Sequence, residues 1–289
     1  MKSIIKQSNK KSAFTIVELL TVMSIIVILI GLLVPALNNV RKYAREVRQR
    51  AQFHSVGVAL EQFNSQFDTF PDSSATGPDG QPYCGAMKLA EAMVGQDLMG
   101  FNPDSVFNSN GMDSRGDQLY GMANPDLSAR KGPYLPVENA NAYRMDEIYS
   151  NYSTQNFLPG SIVLCDVFGQ VSNKTSGQKI GMPILYYKAH PSKMKFDVTD
   201  PESSIYNYLD NQALLMLGKP WDTSGVHRLA TEGATPGARF YENTLNIQVT
   251  TTRIPYNKDT YILISAGNDG EYGTSDDICN FDFKYRSLD

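Results

Sequence analysis

The stretch FTIVELLTVMSIIVILIGLLVPALNNV, residues 14–40, decides the fold of this chain. It is a nearly continuous apolar run that holds one acidic residue, Glu18, and the first basic residue after it is Arg41. A helix of about 20 apolar residues crosses a bilayer, so this run is long enough to span a membrane. A carboxylate in hydrocarbon costs roughly 2.5 to 3.5 kcal/mol, and Glu18 therefore requires a cationic partner.

Three interpretations of this N-terminus compete. A secretory signal peptide has an apolar core of about 7 to 15 residues and a small-residue cleavage site, for which Val34-Pro35-Ala36 would have to serve. The run is longer than such a core, and it carries an acid. A plain membrane anchor explains the length of the run but leaves Glu18 unexplained. The third interpretation comes from a resemblance and accounts for both features.

The segment KKSA (residues 10–13), followed by FTIVELL (residues 14–20), resembles the processing site of the type IV pilin and type II secretion pseudopilin family. The resemblance implies that a prepilin peptidase cuts between Ala13 and Phe14 and methylates the new amine; the family usually has Gly in place of Ala13. It also implies that Glu18 pairs with the N-terminal amine of a neighbouring subunit during filament assembly. An amine and a carboxylate attract strongly once both are desolvated. Pro35 matches a proline that accompanies helix unwinding in the family's filaments.

Charge is unevenly placed along the chain. The first 50 residues hold nine of the 26 basic and two of the 30 acidic residues, a net charge of +7, which leaves −11 on the remainder. A basic cluster just after the apolar run suits anionic lipid headgroups, and an acidic remainder argues against a nucleic-acid partner. Both flanks of the run are basic, so the positive-inside rule does not set the orientation. The leader resemblance implies a single-pass protein of the bacterial inner membrane with its head in the periplasm or extracytoplasmic space.

The helical pattern continues past the apolar run. Apolar residues recur at steps of three and four up to Phe67, including Val47, Ala51 and Val56, and Pro71 ends the pattern. Residues 14–67 therefore predict one long helix, with a kink or local melting near Pro35, where a backbone hydrogen bond is lost. The predicted divisions are a leader (1–13), a transmembrane or filament-core helix (14–40), an amphipathic helix half (41–71), and a globular head (72–289) with insertions at about 72–131 and 192–258.

The head has the composition of an α+β domain. Its first part is rich in turn residues and contains one short predicted helix at residues 87–99. Four later runs are rich in β-branched and aromatic residues, which predicts strands at 160–165, 182–188, 244–252 and 261–265. The economical arrangement is a small antiparallel sheet packed on the long helix, with large loop insertions.

Three segments extend the resemblance to the major pseudopilin of type II secretion. They are GPYLP (132–136), DVFGQ (166–170) and PILYY (183–187), which follow the order of Pro-Tyr-Leu and Asp-Pro-Trp-Gly-x-Pro-Tyr segments in that protein. Phe168 stands where the family has Trp, and residues 171–181 separate pieces that are normally contiguous. The resemblance implies a pilin fold with an enlarged head.

The C-terminal stretch ISAGNDGEYGTSDDI, residues 264–278, crowds acids and glycines into a loop after a predicted strand. Calcium takes about six to eight oxygen ligands, but Asp and Gly are also ordinary turn residues, so composition leaves a turn and a calcium site open. The spacing is not that of an EF-hand. The loop also resembles the C-terminal calcium loop of the major pseudopilin. That resemblance implies a structural calcium ion held by Asp269, Asp276 and Asp277 with the carbonyls of Ile264 and Ser265.

Other chemistry has weaker support in the sequence. Cys84, Cys165 and Cys279 are too scattered for a zinc or redox motif, and all three disulfide pairings stay open. The chain has no G-x-S-x-G, H-E-x-x-H, P-loop or G-x-G-x-x-G motif, and its three histidines are isolated. We therefore expect a protein that is not an enzyme, with a membrane-anchored hydrolase as a remote alternative.

The resemblance implies a structural subunit of a type II secretion pseudopilus. Its partners would be copies of itself in a filament, the membrane, the prepilin peptidase, a secretion assembly platform and minor pseudopilins. A type IV pilin or pilin-like surface protein, whose head binds a ligand or a surface, is the alternative that the large head favours.

Overall fold

A computed structural model describes residues 15–122, 126–222, 225–286 and 288. Ala13 and Phe14, the residues of the predicted processing site, lie outside this part of the chain. The fold is α+β, with a long N-terminal apolar helix and small antiparallel sheets, as the sequence predicts. The chain divides into two compact units, Met1–Ala44 and Arg45–Asp289.

Helix α1 runs without interruption from Ile16 to Phe67, which confirms the predicted long helix. Pro35 lies inside this helix, so the local melting predicted there is absent from the structure. In the first unit every residue from Thr15 to Ala44 is exposed. The apolar side chains of residues 16–44 are left unburied by the described part of this unit, because a single helix cannot bury its own surface.

The second half of α1 packs into the head through a stripe of residues at steps of three and four. The buried members are Gln49, Gln52, Phe53, Val56, Ala59, Leu60 and Phe63. The predicted inward positions Val47 and Ala51 are exposed instead. Two glutamines are buried in the stripe instead, because each forms a hydrogen bond with the backbone of the head. The Gln52 amide donates to the carbonyl of Cys165 (2.9 Å), and Gln49 Oε1 accepts from the N–H of Val167 (3.0 Å).

The head contains six further α-helices and seven strands among its described residues. The helices are α2 (Gly85–Val94), α3 (Val137–Ala140), α4 (Met145–Ile148), α5 (Gln212–Met216), α6 (Arg228–Thr231) and α7 (Ala238–Thr244). The strands are β1 (Ala142–Arg144), β2 (Ile162–Leu164), β3 (Val171–Ser172), β4 (Lys179–Ile180), β5 (Leu185–Lys188), β6 (Tyr261–Ser265) and β7 (Ile278–Cys279). The predicted strands at 160–165, 182–188 and 261–265 are confirmed as β2, β5 and β6.

All strand pairs are antiparallel, but they form three small sheets: β1–β2, β3–β4 and β5–β6–β7. The Ile184 N–H donates to the Leu164 carbonyl at 2.7 Å, so the segment before β5 also bonds the end of β2. Side chains of the central strand β6 alternate between two cores. Leu263 shares one core with Phe63 of α1, while Ile262 and Ile264 belong to the other. The sequence of β6 is almost wholly apolar, and all five of its residues are buried because both of its faces are covered.

Helix α2 is buried at all ten of its positions and packs on β2 and β5. A β-carbon on Gly85 would lie 2.2 Å from the Tyr186 carbonyl oxygen, so only glycine permits this approach to β5. The predicted helix at 87–99 is therefore shorter, since α2 ends at Val94, and it lies at the centre of the head instead of in a peripheral loop.

Another expectation changes in the structure. The predicted strand at 244–252 is wrong: α7 ends at Thr244, and the following residues form turns, with a single bridge between Leu245 and Pro255. Residues 192–258 also contribute to the main core, through side chains such as Tyr206, Leu229 and Phe240. This region therefore supplies packing that the strands need on one of their faces.

Candidate functional site

The first turn of α1 holds the acidic residue of the apolar run. Glu18 Oε2 accepts hydrogen bonds from the backbone N–H of Thr15 (2.9 Å) and from its hydroxyl (2.8 Å). The Glu18 N–H donates back to the Thr15 hydroxyl at 3.2 Å. This reciprocal arrangement is a capping box, in which a Thr and a Glu three residues later satisfy the free donors of a helix start. Sequence reasoning missed it, although the Thr-x-x-Glu spacing was the available signal.

The apolar part of α1 is the one helix among the described residues that is long and apolar enough to cross a membrane. None of that apolar window is buried, unlike the core helix of a soluble protein. A signal sequence meets the same criteria of length and composition. The helix surface thus offers an apolar face for lipid or for other helices.

The acidic loop, residues 266–277, joins β6 to β7. Its ends are held together by the antiparallel pairs Ser265–Ile278 and Ile264–Cys279. Strand β7 was absent from the sequence-based prediction. Gly267 has a φ of +66°, and a β-carbon there would lie 2.0 Å from the Asp276 carbonyl oxygen, so the two arms of the loop approach closely only with glycine.

Two of the predicted calcium ligands bond to the loop itself. Asp276 Oδ2 accepts from the N–H groups of Asn268 (2.5 Å) and Asp269 (3.1 Å). Asp269 accepts from the Glu271 N–H and from the Thr274 hydroxyl, both at 2.9 Å. These carboxylates therefore stabilise the turns of the loop, which is the ordinary role of Asp in such turns.

Asp277 is different because it is buried and incompletely bonded. Its Oδ2 accepts from the Gly273 N–H at 2.8 Å, but its Oδ1 has no hydrogen-bond partner among the described residues. Burial raises the pKa of the Asp277 carboxyl well above its usual range, and the nearby charges of Asp269 and Asp276 raise it further. A carboxylate in this environment is stabilised by taking up a proton or by a bound cation.

The predicted ligands do not converge into a metal cluster. Within residues 15–122, 126–222 and 225–286, no three His, Cys, Asp or Glu side chains are grouped so that they could hold an ion. Ile264 and Ser265, whose carbonyls were predicted as ligands, end the central strand β6. The loop is also tied to α1, because Arg45 Nη1 donates to Asn268 Oδ1 at 3.2 Å.

Asp166 links the end of β6, just before the acidic loop, to the interrupted segment before β5, a role that sequence reasoning missed. Its Oδ1 accepts from the N–H groups of Phe168 (3.2 Å) and Met182 (3.1 Å), and its Oδ2 accepts from the Ser265 hydroxyl (2.8 Å). The intervening insertion folds as the β3–β4 hairpin, which returns Met182 to Asp166. Burial raises the pKa of the Asp166 carboxyl to about 7.

The histidines and cysteines are dispersed. His227 is buried with its ring 4.8 Å from that of Tyr272, and burial lowers its pKa to about 3. His54 is exposed and His190 is half-buried. All three cysteines are free thiols, so no disulfide crosslinks the head.

No protein-family model, curated protein or solved structure matches this chain.

Proposed function

We propose that this chain is a structural subunit of a type II secretion pseudopilus, which assembles through its N-terminal helix. The observation that carries the proposal is the wholly unburied apolar segment of α1, which continues unbroken into a helix packed in the head. One continuous helix lets the apolar half leave lipid and pack with copies of itself while the other half holds the head. Prepilin peptidase, an assembly platform and minor pseudopilins are the partners that this function requires.

Glu18 would guide the incoming subunit. Its carboxylate accepts hydrogen bonds from Thr15 in the single chain, which satisfies the acid before assembly. After cleavage before Phe14, the methylated amine of a neighbouring subunit would bring a positive charge to the same carboxylate. In a low dielectric the positively charged amine adds Coulomb attraction to its hydrogen bond, which the neutral Thr15 hydroxyl does not supply, and this favours the amine as the partner.

A matched set of variants separates assembly from local capping. The full chain is expressed with a prepilin peptidase and a secretion assembly system, with cleavage followed by mass spectrometry and filaments by electron microscopy. Glu18→Ala should be cleaved and methylated but form no filaments, whereas Thr15→Val, which loses the hydroxyl of the capping box but keeps the acid, should still assemble. Glu46→Ala is the control, because it removes an acid from the same helix beyond the apolar run. Normal filaments from Glu18→Ala would refute the pairing.

The acidic loop would hold a structural calcium ion through Asp269, Asp276, Asp277 and the carbonyls of Ile264 and Ser265. The incompletely bonded, buried carboxylate of Asp277 supports this part of the proposal. Bound calcium would neutralise the clustered carboxylates and stabilise the loop beside Arg45 of α1.

Calorimetry on the full chain in zwitterionic nanodiscs, together with thermal melts with and without chelator, tests the calcium site. Calcium should bind at one site and raise the melting temperature, and Asp277→Asn should remove both effects. Asp282→Asn is the control because that acid lies outside the loop. An absence of binding at millimolar calcium would reduce the loop to a hydrogen-bonded turn.

A pilin-like surface protein with a ligand-binding head is the second candidate. The size of the head favours it, because residues 192–258 add helices to the core that filament assembly does not require. Filaments seen on the cell surface, instead of within the envelope, would favour this function.

A further inference from the structure

A cleft of about 670 Å³ opens beside the C-terminal end of α1, and we call it the aromatic cleft. Its walls are formed largely by five phenylalanine rings: Phe63, Phe67, Phe70, Phe101 and Phe107. Pockets that bind small ligands are commonly about 300–1,000 Å³ and mostly apolar, with a few polar groups. The aromatic cleft fits this description and takes no part in the proposed filament function.

The rings form a continuous wall. Phe101 stacks on Phe107 with ring centres 5.2 Å apart, and Phe67 meets Phe101 edge-on at 5.6 Å. Phe63 and Phe101 are buried, whereas Phe67, Phe70 and Phe107 are only half-buried. Part of each half-buried ring is therefore available to a flat apolar ligand.

The backbone at the rim of the cleft is strained. Val106 and Phe107 are consecutive residues in the left-handed region, with φ values of 47° and 58°. A β-branched residue such as Val rarely adopts this conformation, and strained backbone is concentrated at functional sites. Here the strained pair leaves Val106 61% exposed at the rim while Phe107 stacks on Phe101.

The polar end of the cleft carries a net charge of +1, because its charged lining residues are Lys88, Lys188 and Asp72. Lys88 is buried, and its ammonium group is satisfied by Asp72 (2.5 Å), Ser74 (2.7 Å) and the Thr76 carbonyl (2.8 Å). The Lys188 ammonium group donates to the Thr69 hydroxyl at 2.8 Å and forms no ion pair with any described residue, although the Asp72 carboxylate also attracts it electrostatically. An anion placed here would thus meet a cation without having to displace an acid.

We propose that the aromatic cleft binds a small amphipathic anion: a flat aromatic body held between the phenylalanine rings, with a carboxylate at Lys188. The charge distinguishes this ligand from an aromatic side chain of a partner protein, which would use the rings but not the lysine. The proposal does not depend on which filament the chain enters.

The test uses calorimetry on the full chain in zwitterionic nanodiscs, with the heat from empty nanodiscs subtracted. The probes are 1-naphthaleneacetate and its neutral amide, which share one ring system and differ in charge. The acetate should saturate one site per chain and bind roughly tenfold more tightly than the amide, because its carboxylate adds Coulomb attraction to the Lys188 ammonium group that a neutral amide lacks.

Three variants locate the site. Lys188→Gln can keep a hydrogen bond to Thr69, and it should bring acetate affinity down to that of the amide. Phe107→Ala should weaken both probes. Lys258→Gln, an exposed lysine outside the cleft, should change neither. Thermal melts confirm folding, and Lys188→Gln alone decides the outcome if Phe107→Ala does not fold.

Two results would overturn the proposal. Absence of saturable binding at millimolar probe would exclude a site of this kind. Equal affinities for acetate and amide, or unchanged acetate binding in Lys188→Gln, would show that the cleft accepts an uncharged apolar group, as expected for a protein side chain.

Discussion

The apolar half of α1 and the whole of α2 are both apolar helical segments, but their surroundings are opposite. Every residue from Ile16 to Ala44 is exposed, whereas every residue of α2 is buried. Composition and length both separate the two. The most apolar 18-residue window of α1 has a mean hydropathy of 2.8, whereas α2 carries Lys88 and Glu91 within ten residues, and a membrane span needs about 20. A short apolar helix between turns is therefore to be expected inside a core.

The acids on the two helices show the same contrast. Glu18 is exposed and caps its own helix through Thr15. Glu91 of α2 is buried and accepts hydrogen bonds from Ser105 (2.5 Å), the hydroxyls of Tyr83 (2.6 Å) and Tyr120 (2.8 Å), and Gln96 (3.1 Å). The acid of α2 thus forms hydrogen bonds with the segments that surround the helix, whereas the acid of α1 bonds only within its own first turn.

The largest expected effect follows from filling the space beside Gly85. Gly85→Val would place a side chain against the Tyr186 backbone, and β5 cannot retreat because it is paired with β6. We expect a loss of at least about 4 kcal/mol in the free energy of unfolding, measured by urea titration of the full chain in detergent.

Gly160→Val is the control for this substitution. Nothing lies within 4 Å of a β-carbon at Gly160, so its stability should stay near that of the original chain. Similar urea midpoints for the two variants would contradict the close packing of α2 on β5.

A pair of leucine truncations compares the two helices directly. Leu89→Ala in α2 removes a fully buried side chain and should lower the free energy of unfolding by about 3 kcal/mol. Leu29→Ala in α1, where the side chain is 60% exposed, should leave the urea midpoint of the head unchanged. An equal effect of both truncations would mean that the apolar half of α1 also packs within the single chain.

The smallest effect concerns the pH dependence contributed by Glu91. Burial raises the pKa of the Glu91 carboxyl above its ordinary value of 4.5. The stability it contributes is therefore complete below pH 4.5 and declines as the pH rises through the higher, folded-state pKa. The glutamine of Glu91→Gln cannot titrate. This variant should lower the free energy of unfolding by about 1.5 kcal/mol at pH 4, and by less than that at pH 8, where the original chain has itself lost stability.

Urea titrations of both chains across that pH range measure the difference, and Leu29→Ala provides the control. It changes no titratable group and its side chain is exposed, so the slope of stability with pH should match that of the original chain. A gap between Glu91→Gln and the original chain that widens with pH would show that Glu91 is stabilised in its charged form.

Much of the framework was predictable, while several details of the site were not. The continuous helix and strands β2, β5 and β6 followed from long apolar patterns. The strand predicted at residues 244–252 was wrong, because the β-branched residues there lie in turns and no neighbouring strand pairs with them. Gln49 and Gln52 were also unpredictable from hydropathy, since their burial depends on backbone groups more than 100 positions away.

The sequence by itself determined the long apolar helix, the acid at its start and the acidic loop, because each depends on neighbouring residues. Only the tertiary structure decided that α2 is central, that Asp166 joins the end of β6 to a distant segment, and that Asp277 Oδ1 is buried without a hydrogen-bond partner among the described residues. The physical reason is that burial and hydrogen bonding are satisfied by whatever the fold brings into contact. Those partners come from segments that are far apart in the chain.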